Sequence, residues 1–344
     1  MEIVDMIKNE TQTSKWIVDN YKDELLFVDD SFQRRYVWQE KHKIALMETI
    51  LMGYAIPEIY IWNVGTDSET GNTKRSIVDG QQRIGALVSF INNEYSLKKN
   101  YLLEENKDLS FSGKKFDELN ATDKNKIWKY SFTLRLILEE VKREDIVKLF
   151  LRLNCTDKSL NPQELRNAEF NGKFLETAEQ IGSFDFWSDY KIFSPDSIRR
   201  MGDIEFISSL LMFLRFGIES EINQKAINKA YDLFENEYEE SSGDIQLTSE
   251  ILEVMKRVVV EDEGIVDYLR KTSHFYTIFT TIYKVIAING IVDDEFIKKI
   301  CCFYSEYNND VEYMVEYRAC MVEATRSKQS RFKRTEILSK YIGI

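Results

Sequence analysis

Ser76-Ile-Val-Asp-Gly-Gln-Gln-Arg-Ile-Gly-Ala-Leu-Val-Ser-Phe90 is the stretch on which the fold turns. Ser76–Val78 closes a β-branched run, the composition of a buried strand. Gly80 permits a tight turn or a close approach of the backbone to a ligand. From Ile84 the apolar residues Ile84, Leu87, Val88 and Ile91 recur at three- and four-residue spacing, which makes one helical face. The segment therefore reads as strand, turn, helix. Between strand and helix stand one carboxylate (Asp79), two amides (Gln81, Gln82) and one guanidinium (Arg83). Such groups at a helix start suit a phosphate: the amides donate, the helix dipole favours an anion and Arg83 offers a bidentate contact. Asp79 would hold a metal ion or orient a water, and Gln82 is the other candidate for positioning that water. The same residues also suit a helix cap on a surface turn, and the motif alone does not choose between the two readings.

Two more segments frame this one. Upstream lies Phe32-Gln-Arg-Arg-Tyr-Val-Trp38, followed by Ile50-Leu-Met-Gly-Tyr-Ala-Ile-Pro-Glu-Ile-Tyr60. Arg34 and Arg35 beside Tyr36 and Trp38 would stack or pair a base or a phosphate; the plainer alternative buries the aromatics and leaves the arginines in water. Downstream come Leu149-Phe-Leu-Arg-Leu-Asn154 and Leu160-Asn-Pro-Gln-Glu-Leu-Arg-Asn-Ala168.

In this order and spacing, with Asp-Gly-Gln-Gln-Arg between them, the segments resemble the N-terminal domain of GmrSD-type modification-dependent restriction enzymes, a domain similar to the ParB and sulfiredoxin-like fold. The resemblance covers residues 15–210. It implies nucleotide binding and hydrolysis at the Asp-Gly-Gln-Gln-Arg site, in defence against phage or foreign DNA. Full-length members often carry a C-terminal HNH-type nuclease domain; no such domain is legible here, and a separate nuclease subunit is one partner this leaves open.

Composition narrows the rest. At 344 residues the chain is long enough for two domains, and 43% hydrophobic residues build a substantial core. Three prolines (Pro57, Pro162, Pro195) favour long helices. No apolar run spans a bilayer and no signal peptide opens the chain, so a cytoplasmic address is expected, with no membrane partner. Cys155, Cys301, Cys302 and Cys320 lack metal-ligand spacing and read as reduced thiols. Two histidines, His42 and His274, exclude a histidine-rich metal centre within one chain and leave an HNH nuclease without its usual ligands. A net charge of −12 argues against broad clamping of DNA, since phosphate contacts supply most non-specific affinity.

Outward from the motif, Met1–Tyr21 reads as an amphipathic helix, Leu25–Val28 as a strand, Lys41–Met52 as a helix ended by Gly53, and Ile59–Trp62 as a strand. Asn63–Thr73 joins it to Lys74–Val78 as a hairpin-like loop. Tyr95–Asp123 is polar and irregular, a short hairpin or a substrate-side loop. Ser131–Leu138 alternates as a strand, Lys142–Leu153 is helical, and Asn161-Pro162 is an N-cap followed by proline at the first helical position. Helical periodicity fills the remainder, including the apolar Phe275–Ile288. Residues 219–263 hold 13 carboxylates against four basic residues, a net of −9, and read as a solvated helical surface. Arg326, Lys328, Arg331, Lys333 and Arg334 form the dense basic cluster. It would contact DNA, or neutralise the acidic helices in cis or across a homo-oligomer.

The fold expected is α+β: a small mixed-sheet, ParB/sulfiredoxin-like nucleotide-binding domain at 1–140 and a mostly helical domain at 141–344. The function expected is a nucleoside-triphosphate-binding and hydrolysing regulatory component of a defence system, dependent on Mg2+. Asp79, Gln82 and Arg83 would be catalytic, with Asp79 on the metal. Gln33, Arg34, Tyr36, Gly80, Gln81, Arg152 and Asn154 would hold the nucleotide. The alternatives are a non-catalytic module that binds nucleic acid or a partner, and a ParB-like DNA nuclease, for which no second carboxylate near Asp79 is evident in the sequence.

Overall fold

A computed structural model describes residues 3–29, 36, 38–155 and 161–344. The chain divides into two compact units, residues 1–169 and 170–344. The division expected at 140/141 falls within the first unit, ahead of two helices that pack on its sheet.

The first unit is a five-stranded mixed sheet with helices on both faces. Its elements are β1 (Ile7–Thr13), α1 (Ser14–Lys22), β2 (Leu26–Val28), α2 (Glu40–Leu51), β3 (Ile59–Thr66), β4 (Thr73–Asp79), α3 (Gln81–Ile91), α4 (Ala121–Lys129), β5 (Ser131–Ile137), α5 (Arg143–Cys155) and α6 (Pro162–Glu169). The strand order is β1-β5-β3-β4-β2. β1 with β5 and β3 with β4 are antiparallel; β3 with β5 and β2 with β4 are parallel. One face carries Leu26, Ile59, Ile61, Ile77, Leu134 and Leu136 against α1, α2 and α3. The other carries Trp62, Val78 and Ile137 against Val141, Ile146 and Phe150 at α5 and Ala168 of α6. Covered on both sides, β4 reads as the continuous run Ile77-Val78 rather than an alternation, as buried strands do.

Most elements match the sequence periodicity; the N-terminus does not. The amphipathic helix expected over 1–21 begins only at Ser14, and Ile7–Thr13 is instead the edge strand β1. Its sequence, Ile-Lys-Asn-Glu-Thr-Gln-Thr, is polar on both sides and no residue in it is fully buried. The period-two apolar signal of a strand is therefore absent, and pairing with β5, from Ile7 opposite Ile137 to Thr13 opposite Ser131, supplies the order. Thr13 ends the strand and caps α1, its Oγ1 accepting the Trp16 N–H at 3.3 Å.

No strand forms over 95–123, so the hairpin reading of that segment is corrected. Short 3-10 turns interrupt the segment, and Leu97, Phe111, Phe116 and Leu119 are buried along it. The buried Glu48 of α2 accepts the Leu103 N–H at 3.0 Å and the Asn106 side-chain amide at 2.7 Å, tying the segment down.

The second unit is helical throughout its regular structure: α7 (Lys173–Gly182), α8 (Asp185–Asp189), α9 (Pro195–Arg199), α10 (Gly202–Phe216), α11 (Gln224–Leu233), α12 (Ser241–Glu261), α13 (Val266–Leu269), α14 (Thr272–Asn289), α15 (Asp294–Ser305), α16 (Glu312–Ala319) and α17 (Lys328–Ile342). α10 and α14 are apolar nearly all round and sit in its centre, with Phe206, Phe213, Phe275 and Phe279 in edge-to-face contacts. No helix among the described residues is long and apolar enough to cross a membrane.

Candidate functional site

The site is assembled where β4 gives way to α3. Gly80 is the pivot. Its φ is +108°, a left-handed value costly for a side-chain-bearing residue, and a β-carbon there would lie 2.9 Å from Ile59 Cγ1. The chain can therefore turn from strand to helix here only with glycine. Gly80 has no side chain to cap the first turn of α3, so no side-chain hydrogen bond from the N-cap closes that end of the helix.

Asp79 ends β4 and reaches forward to Arg83: Arg83 Nη2 lies 2.5 Å from Asp79 Oδ2, with the arginine side chain 15% exposed and the carboxylate 34%. The same nitrogen donates to the Glu58 carbonyl at 3.3 Å. Among the described residues Arg83 Nε is buried without an acceptor. Arg83 is thus a largely buried guanidinium with one carboxylate and an unused donor.

Register extends this corner across the sheet. Asp79 is opposite Tyr60, Tyr60 opposite Arg135, and Arg135 opposite Asn9. Arg135 Nε is 2.5 Å from Glu58 Oε2, and Arg135 also donates to Asn9 Oδ1. The Tyr60 hydroxyl is held above its usual pKa, by burial first and then by the Glu58 charge; Arg135 opposes this and Asp79 adds to it. Both carboxylates therefore act on one phenol. Glu58, Tyr60 and Arg135 were not among the expected site residues. Glu58 and Tyr60 lie in the quoted segment Ile50–Tyr60, where they stand beside Pro57 and Ile59 as strand residues, and only the register with β4 and β5 reveals their grouping.

The other flank of α3 faces a cleft of about 620 Å3 lined by Tyr21, Leu26, Val28, Tyr36, Lys74 and Gln81, among others. Tyr36 packs against Gly85, where a β-carbon would come within 2.4 Å of its ring. Its hydroxyl donates to the Gln82 carbonyl at 3.0 Å, and Lys43 Nζ sits 4.7 Å from the ring centroid. Burial, then the charge of Glu94, raises the Tyr36 hydroxyl well above its usual pKa, so it stays a neutral donor.

The expected residues thus divide. Asp79, Gly80 and Arg83 meet on the Glu58 side; Tyr36 and Gln81 meet at the cleft. Gln82 is buried, and its Oε1 accepts the Trp38 N–H at 2.9 Å, which fastens the segment before α2 to the start of α3. Arg152 is exposed on α5, and among the described residues no hydrogen bond or ion pair joins it to the turn. Asn154 lies in the last turn of α5. Gln33 and Arg34 lie outside the described residues.

α6 is an unusual neighbour. Gln163, Glu164, Arg166 and Asn167 are all buried, and Arg166 Nε donates to Gln163 Oε1 at 2.9 Å. Asn161 caps the helix as its sequence foretold, accepting from the Gln163 and Glu164 N–H groups at 2.9 and 2.8 Å. Ala168 of this helix packs in the same cluster as Val78, next to Asp79 in sequence. A polar helix buried against the sheet is costly unless its groups are satisfied.

Magnesium can be weighed against these donors. No group of three or more His, Cys, Asp or Glu side chains converges among the described residues. Asp79 is already paired with Arg83 and Glu58 with Arg135. This set does not fit a magnesium ion held by the protein alone, which takes oxygen ligands in octahedral geometry.

The C-terminal basic cluster is mostly turned inward or neutralised. Arg331 and Arg334 are each 1% exposed. Arg326 pairs with Glu205 at 2.8 Å, Lys328 with Glu219 at 3.2 Å and Lys333 with Glu316 at 3.2 Å.

Comparison with known proteins bears on the first unit. Residues 14–171 match the family model described as GmrSD restriction endonuclease, N-terminal domain. No curated protein and no solved structure gives a significant match.

Proposed function

Starting from a GmrSD restriction endonuclease N-terminal domain at residues 14–171, we propose that the chain binds and hydrolyses a nucleoside triphosphate at the β4–α3 turn, as the regulatory component of a system that restricts foreign DNA. The observation that carries this reading is the glycine-pivoted turn itself. A helix start without a side-chain cap and a buried guanidinium with an unused donor stand at this turn, and Gln81 of the same turn lines a cleft of about 620 Å3 on the other flank of the helix, within the size range of small-molecule sites.

The chemistry follows from charge. The helix dipole and Arg83 attract phosphate oxygens and stabilise the charge that develops on them. Gln81 and Tyr36 line the cleft beside the turn and would contact the nucleotide. Gln33, Arg34, Arg152 and Asn154 are further contacts under this proposal. Magnesium arrives on the nucleotide as part of the substrate, and Asp79 is the one carboxylate of the motif able to meet it. Gln82, anchored to Trp38, keeps the turn in place and is the alternative to Asp79 for ordering the attacking water. A separate nuclease subunit is the partner this proposal names for cleavage of DNA.

A second reading is binding without turnover, and the Asp79–Arg83 ion pair favours it by occupying the motif's one acid. Release of labelled phosphate from each of the four ribonucleoside triphosphates, with and without magnesium, separates the two. Turnover that needs magnesium and is lost in Arg83→Ala supports hydrolysis. Nucleotide binding by equilibrium dialysis without any phosphate release leaves the sensing reading, and absence of both sinks the proposal.

A further inference from the structure

A partly open cavity of about 200 Å3 lies in the helical unit; its mixed lining combines Phe206 and Ile222 with Arg326, Arg331, Arg334 and Glu205. Its two innermost arginines are unusual. Arg331 spends its donors on main-chain carbonyls and one phenol: Nε to Arg326 at 3.2 Å, Nη1 to Ile218 at 3.2 Å and to the Tyr276 hydroxyl at 2.8 Å, and Nη2 to Ser220. Arg334 donates from Nε to Thr277 Oγ1 at 3.1 Å and from Nη1 to the Cys320 carbonyl at 2.9 Å. Among the described residues its Nη2 has no acceptor. Both side chains are 1% exposed, and neither is hydrogen-bonded to a carboxylate.

A buried guanidinium without a counter-charge is expensive, by several kcal/mol in general terms. Here two stand together, and burial already lowers the pKa of Arg334. The cavity offers the missing charge a place. Its lining holds three arginines and one glutamate, a formal sum of +2, and Arg326 and Glu205 neutralise one another at 2.8 Å. Thr272 and Ser273 belong to the first turn of the 18-residue α14, whose N-cap Lys271 makes no side-chain cap bond. That helix end adds unpaired dipole of the same sign. Carbonyl partners fix Arg331 and Arg334 in place before any ligand arrives, so little side-chain entropy remains to be lost on binding.

We propose that this cavity is an anion site for a phosphate group, free or as a small monoester, distinct from the β4–α3 turn. Phosphate fits better than a simple carboxylate because its double charge matches the +2 lining and its oxygens can meet Arg334 Nη2 and the α14 N–H groups together. A whole nucleoside triphosphate exceeds the volume. The site does not depend on nucleotide hydrolysis in the other unit.

The test is calorimetric titration of the full chain with inorganic phosphate at constant ionic strength, then with a nucleoside 5′-monophosphate. All titrations are repeated in Arg83→Ala, so that any contribution from the other unit is weakened while this site is left unchanged. The expected result is one phosphate per chain that persists in Arg83→Ala. Arg334→Met should weaken it roughly tenfold, the loss of one charge-assisted hydrogen bond. Arg326→Gln should also weaken it, and Glu205→Gln should tighten it by removing a like charge. Tighter binding of the monophosphate than of free phosphate identifies an ester as the ligand; the reverse identifies free phosphate. If Arg334→Met fails to fold by circular dichroism, the opposite signs of Arg326→Gln and Glu205→Gln decide. Absence of phosphate binding, or binding that ignores these charges, overturns the proposal.

Discussion

Tyr36 and Gly85 are packed so closely that a single β-carbon on the helix would lie 2.4 Å from the tyrosine ring. The tyrosine comes from the segment before α2 and the glycine from the middle of α3, and the hydroxyl bond to the Gln82 carbonyl holds them together. Glycine inside a helix ordinarily costs about 1 kcal/mol against alanine. At this position the cost is offset by the ring it admits.

Gly85→Ala should therefore destabilise the chain by about 1–3 kcal/mol, the range for overpacking, despite the gain in helix propensity. The double variant Tyr36→Ala/Gly85→Ala should recover part of that loss relative to the sum of the single changes, because the clash is gone. Chemical denaturation of the four proteins measures the coupling. Additive losses would show that Tyr36 does not rest on Gly85.

Gly80 makes a different demand. There the backbone itself is left-handed, and both branches of Ile59 lie within about 3 Å of where a β-carbon would stand. Gly80→Ala should cost about 1–2 kcal/mol from conformation alone and more from the contact. Ile59→Val should not rescue it, since valine keeps both γ-carbons and the φ is unchanged. Recovery of wild-type melting temperature in the double variant would contradict this account.

Much of the fold and part of the site could be read from residue pattern. β4, Gly80 and α3 follow from a β-branched run, a glycine and a 3.6-residue period, and Asn161-Pro162 announces α6 outright. β1 could not be read, because an edge strand of Lys, Asn, Glu, Thr and Gln takes its order from β5 and not from its own pattern. The pairing of Glu58 with Arg135 and of Tyr60 with Asp79 was hidden for a related reason. Glu58 and Arg135, 77 residues apart, and Tyr60 and Asp79 become neighbours only when the strands pair. The inward turn of Arg331 and Arg334 is legible in neither charge nor hydropathy, since an arginine-rich helix ordinarily reads as a solvated face.

His274 gives the helical unit a pH response. It is fully buried, its Nδ1 lies 3.0 Å from the Tyr317 hydroxyl, and burial, assisted by the charges of Lys271 and Arg334, lowers its pKa to about 3. An unfolded histidine titrates near 6.5. Above that pH neither state is protonated and the group contributes nothing to the pH dependence. Between about 6.5 and 3 the unfolded chain takes up a proton that the folded chain refuses, so stability falls as pH falls, by about 2 kcal/mol at pH 5. His274→Gln should start less stable at pH 7 through the altered contact with Tyr317, yet lose less between pH 7 and 5. Denaturation midpoints for both proteins at the two pH values check the sign; parallel losses would remove His274 from the explanation.

The Asp79–Arg83 pair sets the last expectation. At 2.5 Å the carboxylate neutralises the guanidinium that the proposal assigns to phosphate. Bound to each other, the two side chains present less positive charge to an anion than Arg83 alone would. Asp79→Asn keeps the size and a hydrogen-bonding oxygen but removes the negative charge. Arg83 then faces an arriving phosphate without a competitor, so nucleotide binding in the absence of metal should hold or tighten. Magnesium-dependent turnover should vanish, because the motif's one carboxylate no longer meets the ion that screens the phosphates. Arg83→Ala should do the opposite to binding, weakening it by roughly tenfold for a lost charge-assisted contact. It should cost about 1 kcal/mol in stability, since the pair is only partly withdrawn from water and leaves a carboxylate that solvent can reach. Equilibrium dialysis with and without magnesium, phosphate release, and a melting curve for each variant give the three readouts. Wild-type hydrolysis by Asp79→Asn would mean that Asp79 only holds Arg83 in place and that the metal, if used, is met elsewhere.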